Sequence, residues 1–285
     1  MDIVTWMFPV LLTLIFLGVP IAFALMSTAF VFGLIRFEEN AYFVFMHKID
    51  DITGASILAA VPLFIFMGNM LEKSGTAERL FEAIHIWTKR LPGGLAVGTI
   101  VMCVIFAACS GVIGATETVV GLLATPVMLR HGYNKDLISG TITAGGSLGA
   151  IIPPSVVVII LAAVAEMSLG DMFIGMFIPG LLMAFLYILY IIVRCYLDPS
   201  SGPSIAFAED TLTLANKLQL TGVALLLIIA VLGSIMMGVA VPTEAAAVGA
   251  IGTVFLTICY RTFTKTILMA AMLKTLEVTA MILTI

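Results

Sequence analysis

Gly145-Gly146-Ser147-Leu148-Gly149-Ala150-Ile151-Ile152-Pro153-Pro154-Ser155 interrupts a long apolar region and does not read as ordinary helix. Pro153 and Pro154 have no amide hydrogen, so a continuous helix would leave the carbonyls of Gly149 and Ala150 without donors. A backbone opened here turns the carbonyls from Gly149 to Pro154 into an oxygen-rich site for a hard cation such as sodium. A simple proline kink is the plainer alternative; the glycines on both sides favour the opened form. Irregular backbone is tolerated at membrane depth only where protein buries it or it lines a cavity.

Composition puts that break in a membrane. The chain has 285 residues, 61% hydrophobic and 11% charged, with a mean hydropathy of +1.20. So much apolar surface demands lipid. The net charge is −4, and no basic run is longer than Lys89-Arg90, which excludes an electrostatic nucleic-acid footprint. Cys103, Cys109, Cys195 and Cys259 lack CxxC spacing and clustered histidines. They read as reduced packing residues, and no transition-metal site is expected. His47, His85 and His131 fall apart from one another and are given no catalytic role. Met1-Asp2 leads into apolar sequence without a basic leader, so the first segment is expected to stay as a membrane helix.

Apolar runs predict helices at about 3–17, 20–35, 56–71, 172–194, 218–239 and 243–260, with a last run at 275–285. Segment 72–91 is amphipathic, with Leu80, Phe81, Ile84 and Trp87 on one stripe, and is expected to lie flat on the membrane surface. A soluble loop helix is the alternative. Taking 94–129 as a re-entrant hairpin and 136–165 as one broken span, all of the 13 Lys and Arg residues except Arg36 and Lys48 fall on one face. That face is cytoplasmic by the positive-inside rule, and the N-terminus is outside. Two full crossings at 94–129 would give the same sides, so charge alone does not establish the hairpin.

A pattern recurs along the chain. Gly18-Val19-Pro20 before the Ala-rich 22–29 is echoed by Val241-Pro242 before 245–250, and the two runs end at Arg36 and Arg261. This divides the chain into a first repeat at 1–197, with three helices, the surface arm, the hairpin, the broken helix and helix 172–194. A polar connector follows at 198–217, then the start of a second repeat at 218–285. An odd number of crossings before the connector inverts the second copy. The offset projects a full length of about 417 residues, so the chain is expected to stop inside that copy. The fold class is an all-α polytopic membrane protein with an incomplete second inverted repeat.

Two more breaks bear chemistry. At Ser110-Gly111-Val112-Ile113-Gly114-Ala115-Thr116 a hairpin tip would present carbonyls from one half-helix and, with Thr116 as N-cap, free amides from the next. Carbonyls attract a cation and amides a carboxylate, which makes Ser110 and Gly111 sodium candidates and Gly114, Thr116 and Ser155 substrate candidates. At Val239-Ala240-Val241-Pro242-Thr243-Glu244 a proline opening a helix needs no function. Glu117 is costly at membrane depth, roughly 2.5–3.5 kcal/mol unless partnered. It reads either as a coupling acid near the cation site or as an acid solvated by a cavity. Glu117→Gln leaving cation and pH dependence unchanged would exclude the coupling role.

Pro62-Leu63-Phe64-Ile65-Phe66-Met67-Gly68-Asn69-Met70-Leu71, Pro126-Val127-Met128-Leu129-Arg130-His131-Gly132-Tyr133 and Gly149-Ala150-Ile151-Ile152-Pro153-Pro154-Ser155 together resemble the large membrane (M) subunit of tripartite ATP-independent periplasmic (TRAP) transporters, the DctM-like family. Pro179-Gly180 and Pro242-Thr243-Glu244 extend the likeness. The resemblance implies an elevator-type transporter of the bacterial inner membrane, similar to the ion transporter superfamily. It also implies sodium as coupling ion, no other cofactor, and a carboxylate substrate. Its implied partners are a periplasmic substrate-binding protein (P type) and a small four-helix membrane subunit (Q type). Sodium would be held by the tip at Ser110 and by carbonyls of Gly149, Ile152 and Pro154. The tip departs from the serine-rich form of many members at Val112 and Ile113.

The competing readings are a stand-alone sodium–carboxylate symporter needing no binding protein and an intramembrane enzyme. No Ser-His, paired-Asp or HExxH arrangement supports the enzyme.

Overall fold

A computed structural model describes residues 3–88, 91–203, 222, 226–227 and 229–284, and the regular structure among them is helical. The helices are α1 (Ile3–Phe16), α2 (Ile21–Phe37), α3 (Ala41–Thr53), α4 (Ala60–Lys73), α5 (Thr76–Thr88) and α6 (Gly94–Ser110). Then come α7 (Ile113–Arg130), α8 (Lys135–Ser147), α9 (Val156–Ala165), α10 (Leu169–Leu197), α11 (Pro242–Cys259) and α12 (Lys265–Thr284). Most of the connector 198–217, the pair Lys89-Arg90 and much of the expected span 218–239 lie outside the described residues. Residues 229–236 of that span are helical.

The chain divides into two compact units. One comprises residues 1–56 with 277–285. Here Gly18, at φ 84°, closes α1 and Pro20 leads into α2. Phe30 of α2 meets Phe45 of α3 edge-on, with ring centroids 5.5 Å apart. The helix α3 was not anticipated. Its apolar run is broken by His47, Lys48, Asp50 and Asp51, and the reading relied on uninterrupted apolar stretches. Its 13 residues rise only about 20 Å, short of a bilayer core.

The other unit, residues 57–276, carries the interrupted helices. Small residues set its closest approaches. A Cβ on Gly249 of α11 would lie 2.6 Å from the Met67 sulfur of α4, and one on Gly145 of α8 would lie 2.5 Å from the Cys103 sulfur of α6. These glycines let helix backbones approach where any side chain would hold them apart. Asn69 Nδ2, buried in α4, donates to Thr275 Oγ1 of α12 at 3.2 Å.

In the amphipathic segment the helix is α5, which buries Ala77, Leu80, Phe81 and Ile84, as its 3.6-residue pattern requires. Trp87 does not join them. It is 62% exposed, because it sits at the rim of the stripe, where the buried row ends instead at Thr88. His85 lies inside the interface with neither ring nitrogen hydrogen-bonded. Burial, with the nearby His131 acting in the same direction, pulls its pKa down to about 4. Arg79 stacks its guanidinium over the Tyr260 ring, 5.4 Å from the centroid.

Four helical stretches among the described residues are long and apolar enough to cross a bilayer: Ser56–Lys73, Leu169–Leu197, Pro242–Cys259 and Lys265–Leu283. The last begins ten residues before the predicted 275, because Lys274 concealed its continuity. Outward-facing Leu182, Phe185, Leu186 and Leu189 on α10 are the lipid-facing surface such a helix needs.

Candidate functional site

α6 ends at Gly111, held in the left-handed region at φ 62° with its N–H donating to Ala107 O at 3.0 Å. Val112 is extended, and α7 starts at Ile113. The break is thus two residues long. At the far end of the pair, Leu95 N–H donates to the Tyr133 hydroxyl at 3.2 Å, and the Thr99 hydroxyl lies 3.9 Å from the Met128 sulfur. The outer ends of α6 and α7 therefore lie together, and 94–130 forms a helical hairpin with its tip at Gly111-Val112.

The second break follows the proline logic. α8 runs to Ser147, a 3-10 turn covers Leu148–Ala150, and α9 resumes at Val156. The Pro153-Pro154 bond is cis. The N–H groups of Ile151 and Ile152 both donate to Leu148 O, at 3.0 and 2.8 Å. Among the described residues, no backbone N–H donates to any carbonyl from Gly149 to Pro154. Peptide oxygens lacking donors in a buried segment need water, an ion or another partner.

The two breaks meet. Val156 N–H donates to Gly111 O at 3.2 Å, and a side chain on Gly111 would collide with Pro154 O. A Cβ on Gly149 would sit 3.3 Å from both Ile113 Cα and Thr116 Oγ1. Ser110 Oγ and Thr116 Oγ1 share a hydrogen bond of 3.1 Å. Ser110, Gly111, Gly149, Pro154 and Thr116 are thereby one cluster. Ser155 is fully buried beside them, its hydroxyl without a hydrogen bond. The Ile152 side chain turns the other way, toward Gly180, so only its backbone is available to the cluster. Gly114 faces open space.

Thr116 is not the N-cap. Val112 takes that place, because its extended backbone already ends the break, and Thr116 N–H donates to Val112 O at 3.3 Å. The orphan amides of the first turn are thus those of residues 113–115, one turn earlier than predicted.

Glu117 is half-buried on α7 and lies against Gly146 of α8, where a Cβ would stand 2.7 Å from Glu117 Oε1. It flanks the second break by one turn. Sequence reasoning missed this contact and also Gly68, whose added Cβ would come 2.7 Å from Ser110 Cα. The signal for both was a glycine inside a helix, which usually marks close backbone approach. Among the described residues no group of three His, Cys, Asp or Glu is placed to hold a metal.

Two breaks that meet at one buried point, in a chain with several bilayer-length apolar helices, define a polytopic membrane protein whose irregular backbone is sheltered by its own helices. Residues 8–285 match the family model described as "Tripartite ATP-independent periplasmic transporter, DctM component". The chain belongs to this family of TRAP large permeases, proteins of the bacterial inner membrane that are not enzymes. It is 31% identical over 253 residues to the C4-dicarboxylate TRAP transporter large permease protein DctM of Vibrio cholerae, covering 89% of this chain and 55% of that protein. The protein of the same description from Pseudomonas aeruginosa is 34% identical, covering 73% and 48%. The ectoine/5-hydroxyectoine TRAP transporter large permease protein UehC of Ruegeria pomeroyi is 32% identical, covering 84% and 56%. The chain spans about half the length of these relatives.

Proposed function

We propose that the chain is the permease subunit of a sodium-coupled, binding-protein-dependent secondary transporter that imports small organic acids by an elevator movement. The observation that carries this reading is the row of undonated carbonyls from Gly149 to Pro154 against the hairpin tip. Carbonyl and hydroxyl oxygens without a carboxylate suit a weakly held monovalent cation. Ser110, Gly111, Gly149, Ile152 (through its backbone) and Pro154 contribute the oxygens. The orphan amides at 113–115 (Gly114 among them) supply partial positive charge for a carboxylate. Thr116 and the unpaired Ser155 hydroxyl add hydrogen bonds. Glu117 at the edge of the cluster is the candidate coupling acid.

C4-dicarboxylates and ectoine, named for two of the relatives, both bear a carboxylate, in keeping with this division of charge. The hairpin is re-entrant in this reading, 1–197 is the first repeat, and 218–285 begins an inverted second one. A periplasmic binding protein delivers the solute, and a small four-helix subunit braces the permease.

The test is thermal unfolding of the purified chain in sodium chloride against potassium and choline chloride at equal ionic strength. A midpoint raised by sodium alone, and lost in Ser110→Ala, is expected. Equal midpoints in the three salts would remove the ion site and with it sodium coupling.

A further inference from the structure

The end of α8 remote from the break borders a separate, partly open cavity of about 560 Å3, lined also by the last turns of α10 and Ile100 of α6. Its lining has two characters. Ile100, Leu137 and Ile191 are apolar, while Arg194 and Asp136 bring one charge of each sign. Thr141, which also lines it, is 3% exposed and its hydroxyl has no hydrogen bond.

Neither charge is consumed within the described residues. Arg194 has only Asp198, at 4.0 Å. That carboxylate already accepts the hydroxyls of Ser200 and Ser201 at 2.6 Å each, so the guanidinium keeps donors for another anion. Asn134 Oδ1 accepts the Asp136 N–H at 2.7 Å, which fixes the residue, while its carboxylate has no ion pair among the described residues.

On α10, Leu186 and Val193, four residues before and three after the cavity-lining Tyr190, are exposed, a surface for acyl chains. Tyr190, 64% exposed, lines the cavity and is of the residue type enriched at lipid–water boundaries. The occupant must therefore be apolar along α10 and doubly charged, with opposite signs, at its polar end.

We infer that this cavity binds a phospholipid whose headgroup carries a primary ammonium beside its phosphate. Arg194 takes the phosphate, a geometry its planar fork favours, and Asp136 takes the ammonium. Thr141 is placed for an ester oxygen, and Ile100, Leu137 and Ile191 cover the first methylenes. A free zwitterionic solute would leave that apolar wall uncovered.

The full chain, purified in detergent and stripped of lipid, is offered dioleoyl phosphatidylethanolamine, dioleoyl phosphatidylglycerol or free phosphoethanolamine, and adducts are counted by native mass spectrometry. One phosphatidylethanolamine per chain is expected, retained about tenfold over phosphatidylglycerol, with no adduct of free phosphoethanolamine. Arg194→Gln should lose both lipids. Asp136→Asn should keep a lipid but lose the preference. Both residues are exposed, so neither change threatens the fold, and Thr141→Val, which should weaken retention without altering the preference, gives a third readout from inside the cavity. Equal retention of the two lipids by the unaltered chain overturns the proposal. So does retention unchanged in all three variants, or binding of free phosphoethanolamine as strong as that of the lipid.

Discussion

Gly111 is glycine for two independent reasons. Its φ of 62° costs another residue roughly 1–2 kcal/mol, and any Cβ would run into the Pro154 carbonyl. Gly111→Ala should therefore push the hairpin tip off the second break. The expected result is a chain that still inserts into membranes but whose unfolding midpoint no longer responds to sodium; a response of undiminished size would show that the contact of the breaks is dispensable. Much of the cluster was legible at this scale, because Ser110, Gly111, Gly149 and Pro154 announce themselves by glycine and proline chemistry within a few residues of sequence. The roles of Gly68 and Gly146 were not legible. Each is defined by a partner on another helix, Ser110 or Glu117, and spacing along one helix says nothing about which neighbour approaches. Thr116 was misplaced as a cap for a related reason: the residue type favours capping, but the extended backbone of Val112 decides where the helix begins.

The helix α5 illustrates a titration built into one element. His85 is buried neutral with its pKa near 4, whereas in the unfolded chain it titrates near 6.5. Between those values the unfolded form binds more protons, so stability falls as pH drops from about 6.5 toward 4. Thermal midpoints between pH 7 and 4.5 should decline along that window, and His85→Phe, which can stack on Phe81 as His85 does at 4.9 Å, should flatten the decline. An unchanged slope would place the effect elsewhere. Elements were readable in proportion to their uniformity. The long apolar α10 was found nearly to its ends, but α3 and the first half of α12 were not, since a few charges disguise a helix whose apolar run is otherwise continuous. The apolar stripe of α5 was legible except at Trp87, where the angle around the helix matters more than the residue's apolarity, but it packs inside the protein, whereas the sequence pointed it at the membrane surface.

For the whole molecule, burial sets which thiols meet solvent. Cys103, Cys109 and Cys195 are buried and Cys259 is exposed at the end of α11. A membrane-impermeant maleimide should modify a single cysteine in folded chain, lost in Cys259→Ser, and four after denaturation. On the orientation read from the basic residues, labelling should occur in inside-out vesicles and fail in right-side-out ones. Labelling from the other side would invert the topology.

If the chain works as proposed, the hydrogen bond from Val156 to Gly111 bears on how such a carrier empties. It fastens the turn of the hairpin to the start of α9, so under the proposed function those two walls are expected to travel as a single cart. On that proposal discharge proceeds past some other wall, and a cross-link between the two breaks should leave turnover intact.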